Sequence, residues 1–443
     1  MEYEKTKKPI GLITAVVTLS VITACLCFAF FMTTMHNDRN KAAVERSFEQ
    51  SVYELGDNMQ NLEVDLSKLM VLGEGKFTAT LLTDVYNRAS AASRALSALP
   101  VDYHETENAA SFLNKVADFG ISYQRAILEG KDCSNFVRVA ESLYDTARTV
   151  NMQIKDYVNA AARNELDIRK ITTAHPYAYR EHSTPIEHNA VEYPELIYDG
   201  PFSDARKTES YALLAELPQV SLKEAEDAAK AALPDFGIKE IKSLGMGGDE
   251  PLYELSVSGE KGTAYVQVSE RGGKVVGLNV MRALGRPLLG EESAKEVATT
   301  FAQHLGYDVE PIWYLAGGGA AYVNLAPIVD GTVLYTDLVK VKVALDNGDI
   351  LGLEAKNYCL NHADRDLTIT LGAATAASLV DGRLSVTSVR GALIPLENDE
   401  SRLCLEVAAK FKDLDYFIYL DGVTGETVKV LRTVDGEQGS LVL

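Results

Sequence analysis

The chain has 443 residues, 47% of them hydrophobic, enough to bury several cores, and its length suggests about three or four domains. With 43 basic against 63 acidic residues it carries a formal net charge of −20, which argues against a nucleic-acid partner and against non-specific adhesion to an anionic polymer or membrane surface. Its five cysteines follow no zinc or disulfide spacing, and only the fold can decide whether Cys359 and Cys404 pair.

Residues 1–9 form a short tail with Lys5, Lys7 and Lys8. From Ile10 to Met35 the chain has no charge and exceeds the roughly 20 residues that a helix needs to cross a bilayer, so residues 10–35 read as a transmembrane anchor. The lysines ahead of it place the tail in the cytoplasm and the bulk of the chain outside, against a weaker opposing bias from Arg39 and Lys41. A cleaved signal peptide would have a shorter apolar core. The stretch Ile22-Thr23-Ala24-Cys25 is similar to a bacterial lipobox, yet Leu26 to Met32 remain apolar, so the retained anchor is preferred and lipidation of Cys25 stays open.

Residues 41–171 read as a helical bundle. Val52, Leu55, Met59, Leu62, Leu66 and Leu69 alternate steps of three and four, which keeps one apolar seam on one face and leaves Glu63 off it. Leu82, Val85, Ala89, Ala92, Leu96 and Leu99 repeat the seam after a Gly73-Glu74-Gly75 turn. A third set runs from Ala109 to Ala126, and a fourth, capped near Ser134, uses Phe136, Leu143, Ala147, Val150, Ile154, Tyr157 and Ala161. Short connections between the four segments favour antiparallel neighbours, hence a four-helix bundle or a pair of hairpins. Core packing accounts for these stripes without a cofactor.

Five of the 13 prolines fall between Thr172 and Pro218, which marks 172–218 as an extended connector. It also holds His175, His182 and His188 near Glu181, Glu187, Glu192 and Glu195, in no compact metal-binding spacing. Beyond it, glycine turns at Gly273, Gly348 and Gly425 recur at about 75 residues, each ahead of an apolar strand, a period near the size of a small folding unit. Three tandem α+β modules with antiparallel sheets are expected, at 219–285, 286–358 and 366–435. The first opens on a capping box, Ser221 and Glu224, followed by strands at Leu252–Val257, Thr263–Val268 and Val275–Val280. The second has its helix after Gly290 and strands around Ala320–Leu325, Leu334–Ala344 and Ile350–Ala355. The third starts loosely at Leu371 and recovers from Cys404 onward.

These modules resemble PepSY domains. The order of span, helical region, connector with YDGPFSDA from Tyr198 to Ala205, and three repeats resembles the YpeB family of spore germination proteins from endospore-forming Firmicutes. That resemblance implies a noncatalytic protein of the spore inner membrane, facing the cortex, whose partner is a cortex-lytic enzyme similar to SleB that it stabilises and restrains until germination. A peptidoglycan-contacting scaffold or a sensor ectodomain is the alternative. The residues themselves offer no enzyme: no H-E-x-x-H, no G-x-S-x-G and no Walker loop is present, and the carboxylates are too numerous for any pair to be singled out. No catalytic, cofactor-binding or metal-ligating residue is assigned.

Overall fold

The computed structural model describes residues 47–99, 103–131, 133–162, 213–247, 251–396, 400–436 and 439–442. The tail, the span at 10–35, Cys25, the histidines of the connector and the YDGPFSDA string lie outside them. Among the described residues no helix is long and apolar enough to cross a membrane.

The helical region contains α1 (47–69), α2 (Lys76–Ser97), α3 (Tyr103–Leu128) and α4 (Ser134–Ala162). Each buries the face that its apolar spacing selects. Val52, Leu55, Met59, Leu62, Leu66 and Leu69 are all buried in α1, as are Val85, Ala89 and Ala92 in α2 and Phe112, Val116, Phe119 and Tyr123 in α3. The fourth face differs from the expected one: Ala140, Tyr144, Ala147, Asn151 and Ile154 are buried, whereas Leu143 and Val150 are half-buried. The polar Asn151 conceals the stripe in the sequence, and it is accommodated because its Nδ2 donates to Glu63 Oε2 at 2.7 Å. Glu63 is therefore half-buried and engaged rather than a free surface carboxylate. Arg88 Nε meets Asp65 Oδ2 at 2.8 Å, an ion pair that offsets the cost of burying the Asp65 side chain.

The C-terminal region is built from two antiparallel-rich sheets rather than one sheet per repeat. The first has eight strands in the order β1-β2-β3-β4-β10-β9-β6-β5. Its strands are β1 (Ile238–Gly247), β2 (Leu252–Gly259), β3 (Gly262–Ser269), β4 (Val275–Met281), β5 (Glu310–Gly317), β6 (Ala320–Ala326), β9 (Val339–Ala344) and β10 (Ile350–Glu354). Two helices, α5 (Leu222–Ala231) and α6 (Glu291–His304), pack on it. Alanines at every fourth position, Ala225 and Ala229 in α5 and Ala294, Ala298 and Ala302 in α6, are buried, and such small side chains let each helix approach the sheet closely. The capping box forms: Ser221 Oγ accepts from the Glu224 amide and Glu224 Oε2 accepts from the Ser221 amide at 2.6 Å. The two helix-and-four-strand units meet where β4 pairs with β10, through Leu278↔Leu353 and Asn279↔Gly352.

The second sheet runs β15-β14-β13-β12-β11-β8-β7. It comprises β11 (Ser385–Pro395), β12 (Ser401–Phe411), β13 (Leu414–Asp421), β14 (Thr427–Gly436) and β15 (Gly439–Val442). A hairpin inserted between β6 and β9, β7 (Ile328–Val329) and β8 (Thr332–Leu334), joins it by parallel pairing of β8 with β11. Short helices α7 (Lys356–Asn361) and α8 (Ala373–Leu379) complete the fold. Gly273, Gly348 and Gly425 all have left-handed φ, +60°, +82° and +73°, in the turns that feed β4, β10 and β14, so the recurring glycines are turn requirements. Cys133, Cys359 and Cys404 are buried free thiols, and Cys359 and Cys404 do not pair.

Candidate interaction surface

The eight-stranded sheet has two unlike faces, because side chains alternate across the pleat and directly paired residues share a face. One cross-strand row is Leu255, Val266, Leu278, Leu353, Val341 and Val323, all buried in the core that includes α5 and α6. The next row belongs to the face without helices: Lys242, Ser256, Tyr265, Asn279, Gly352, Lys342 and Tyr322. Burial changes along it. Gly352 and Lys342 are buried, with Lys342 Nζ 5.4 Å from the centroid of the Tyr322 ring, whereas Lys242, Tyr265 and Asn279 are exposed. Tyr265 is 45% exposed and Met281, two residues past Asn279 on the same face, 61%. Gln267 is exposed next to them. The β2–β4 half of this face therefore presents a tyrosine and a methionine among amides and a hydroxyl on a hydrogen-bonded sheet. That mix suits contact with another protein surface.

The rim of this patch is clamped. Arg282, directly after Met281, reaches into the turn before β10: its guanidinium donates to Asp346 Oδ2 at 2.9 Å, Asp346 Oδ1 at 2.6 Å and Asn347 Oδ1 at 2.7 Å. Asp346 also accepts from the Gly285 amide at 2.6 Å, and Asp349 receives Lys261 at 2.7 Å. The Arg282 guanidinium, seconded by the Gly285 amide, holds the Asp346 carboxyl well below the usual carboxylate range. The acidic turn DNGD is thus filled by a cation of the protein itself, and its geometry joins the first helix-and-strand unit to the second.

A second polar cluster ties the inserted hairpin to the other sheet. Tyr335, following β8, donates to Glu406 Oε2 at 2.5 Å, and Arg390 Nε donates to Glu406 Oε1 at 2.7 Å and through its terminal nitrogen to the Tyr335 hydroxyl at 3.1 Å. Trp313 stacks on the Tyr335 ring with centroids 5.0 Å apart. Burial, with Glu406 adding to it, pushes the Tyr335 phenol far above its ordinary range, so it acts as a fixed hydrogen-bond donor.

Among the described residues, His362 Nδ1 lies 3.0 Å from the fully buried Asp337 Oδ2, the orientation that a general base would need. Arg365 occupies the other side of the same carboxylate, the imidazole is stacked on Tyr358 at 4.3 Å, and among the described residues no serine, threonine or cysteine is hydrogen-bonded to the ring. Burial raises the Cys359 thiol to about 11 and the Cys404 thiol to about 12, which removes the thiolate that nucleophilic chemistry requires. No group of three or more His, Cys, Asp or Glu among the described residues is disposed to hold a metal ion.

The family profile described as YpeB N-terminal matches residues 36–170, and that described as YpeB sporulation, PepSY1 and PepSY2 domains matches residues 180–368. The chain belongs to the YpeB family. Among its relatives are the sporulation proteins YpeB of Bacillus subtilis, 22% identical over 413 residues covering 89% of this chain and 91% of that protein, and of Halalkalibacterium halodurans, 24% identical over 421 residues covering 89% and 91%. Among solved structures, the Bacillus megaterium YpeB C-terminal domain is 24% identical, covers 48% of this chain and 98% of its own length, and superposes with a TM-score of 0.46. The exposed patch, Arg282 clamp and DNGD turn all fall within the matched PepSY1 and PepSY2 region. Sequence reasoning passed over the patch because exposed Tyr265 and Met281 alternate with buried valines and are absorbed into an ordinary strand pattern. Only the cross-strand register reveals that they share a face.

Proposed function

We propose that this chain is a noncatalytic, membrane-anchored protein of the spore that binds a cortex-lytic enzyme similar to SleB outside the membrane, stabilises it and restrains it until germination. The three helix-and-sheet repeats act as PepSY-like modules, and the anchor is the uncharged run at 10–35. The observation that carries the reading is the exposed β2–β4 half of the helix-free face, with Tyr265 and Met281 on a sheet locked by Arg282. It is supported by the family of sporulation proteins to which the chain belongs. The strongly acidic balance weighs against direct attachment to an anionic wall polymer.

The test is affinity capture of the full-length protein from detergent-solubilised spores, followed by identification of co-purifying cell-wall hydrolases. A cortex-lytic enzyme recovered with the intact chain, and lost when the chain is ended at Pro218, supports the proposal. Recovery of peptidoglycan fragments without any hydrolase would favour the wall scaffold, and cleavage of peptidoglycan by the purified chain alone would end the noncatalytic reading.

A further inference from the structure

The C-terminal compact unit is made from two separate pieces of chain: besides the sheets, it includes Ser67–Leu81, the tip between α1 and α2. This tip is unusual for a turn between helices, since Met70, Val71, Leu72, Thr78 and Leu81 are all buried. The last turn of a helix leaves carbonyl oxygens without an intrahelical donor, and these attract donors and positive charge. At the end of α1 the Ser67 carbonyl accepts from the Met70 amide at 3.2 Å, and a further donor and a positive charge arrive from β13 and from the turn before β11. The Tyr416 hydroxyl, itself buried, donates to the Ser67 carbonyl at 3.2 Å across 349 residues of sequence. The Arg383 guanidinium donates to the Met70 carbonyl. Arg383 is pre-positioned for this, because Asp381 Oδ2 holds it at 2.8 Å and the Phe411 ring lies 5.0 Å beneath it. The exposed Lys76 and Glu426, 3.7 Å apart, add little.

We infer that Tyr416, Arg383 and Phe411 form a receptor for a helix C-terminus, whose occupant is the chain's own Ser67–Leu81, and that this contact is a non-covalent clasp that keeps the two chain pieces of the C-terminal unit together when the connector is cut. The inference is independent of the proposed enzyme partner. A proteolytic nick between the two pieces leaves the unit intact, and release needs the helix end to be displaced from its donors.

The experiment uses the full chain in detergent with a site-specific protease sequence placed at about residue 190, cut to completion and examined by size-exclusion chromatography over a dilution series. The cut wild-type pieces are expected to migrate together. Tyr416→Phe combined with Arg383→Ala should make them part at a concentration at least ten-fold higher, and Arg383→Lys, which restores a cation, should recover part of that loss. Separation of the wild-type pieces on cutting, or equal retention by the double variant, overturns the inference. If the double variant fails to fold, a synthetic peptide spanning residues 62–84 replaces it as competitor against the cut wild type: displacement supports the clasp, and an inert peptide overturns it.

Discussion

Glu406 is buried at 2% exposure and accepts from both Tyr335 and Arg390, so it is where removal of one group should reveal how firmly the β7–β8 hairpin is held by the second sheet. Glu406→Ala strips the partner from a buried phenol and from a guanidinium whose side chain is 36% exposed. A buried pair broken on one side costs about 3–5 kcal/mol, and the partial exposure of Arg390 brings the expectation to about 3 kcal/mol. Tyr335→Phe removes only a hydroxyl bonded to a carboxylate, about 1.5–3 kcal/mol. Because the three groups share one network, Tyr335→Phe and Glu406→Gln together should fall short of additivity by about 1–2 kcal/mol. Trp313 is the chain's one tryptophan and stacks on Tyr335, so urea unfolding followed by its fluorescence reports on this locus without contribution from the helical region. A cost below about 1 kcal/mol for Glu406→Ala, or additivity of the pair within about 0.5 kcal/mol, would refute the reasoning.

Arg282→Ala should destabilise the eight-stranded sheet by about 2–3 kcal/mol in the same assay, since it leaves Asp346 without its bidentate partner, whereas Lys261→Ala, which removes an exposed lysine from Asp349, should cost under about 1 kcal/mol. In the helical region, Leu62→Asp places a charge among fully buried residues and should lower stability by more than about 3 kcal/mol by circular dichroism, while Asp57→Asn on the exposed side should stay within about 0.5 kcal/mol. Glu63 is not a neutral control for that comparison, given its bond from Asn151. Acid sensitivity follows from depressed carboxyls: although burial opposes ionisation of Asp421, the amides of Thr424 and Val423 and the Arg402 guanidinium outweigh it and hold the group at about 2, and Asp346 is also lowered. A folded-state pKa below the unfolded one contributes stability that is complete above about pH 4 and is lost as pH falls through about 2. Melting temperature should therefore decline between those values, and Asp421→Asn should flatten the decline while lowering stability at neutral pH.

What was legible in the sequence follows a physical division. Apolar stripes at helical spacing located α1 to α3 because core burial decides those positions, and the Ser221–Glu224 box marked the start of α5 because an N-cap is a local hydrogen-bonding problem. The glycine period located the turns before β4, β10 and β14 because left-handed φ is costly for other residues. Elements whose stability is not local were missed. β1, IKEIKSLGMG, exposes most of its residues and lacks clean alternation, and β11 begins with four exposed residues, so neither advertises itself. The β7–β8 hairpin is too short to read as strand and owes its place to the pairing of β8 with β11, where Thr332 meets Gly391 and Leu334 meets Leu393. The joining of two repeats into one sheet rests on the pairing of β4 with β10, with Arg282 reaching Asp346 nearby, and the patch on the cross-strand register, none of which has a sequence signal. The clasp is the extreme case, since Ser67 and Tyr416 carry no mark of each other.

The most direct test of the account is to compare how much cortex-lytic enzyme co-purifies from spores with the full-length wild-type protein and with a Tyr265→Ala, Met281→Asp variant, after confirming that both show the same urea transition at Trp313. Both substituted side chains are exposed, so the fold should be unaffected. Recovery of the enzyme with the wild type and a loss of at least about ten-fold with the variant is the predicted result, a change of about 1.4 kcal/mol in binding or more. Equal recovery with the folded variant, or no enzyme with the wild type, would contradict it.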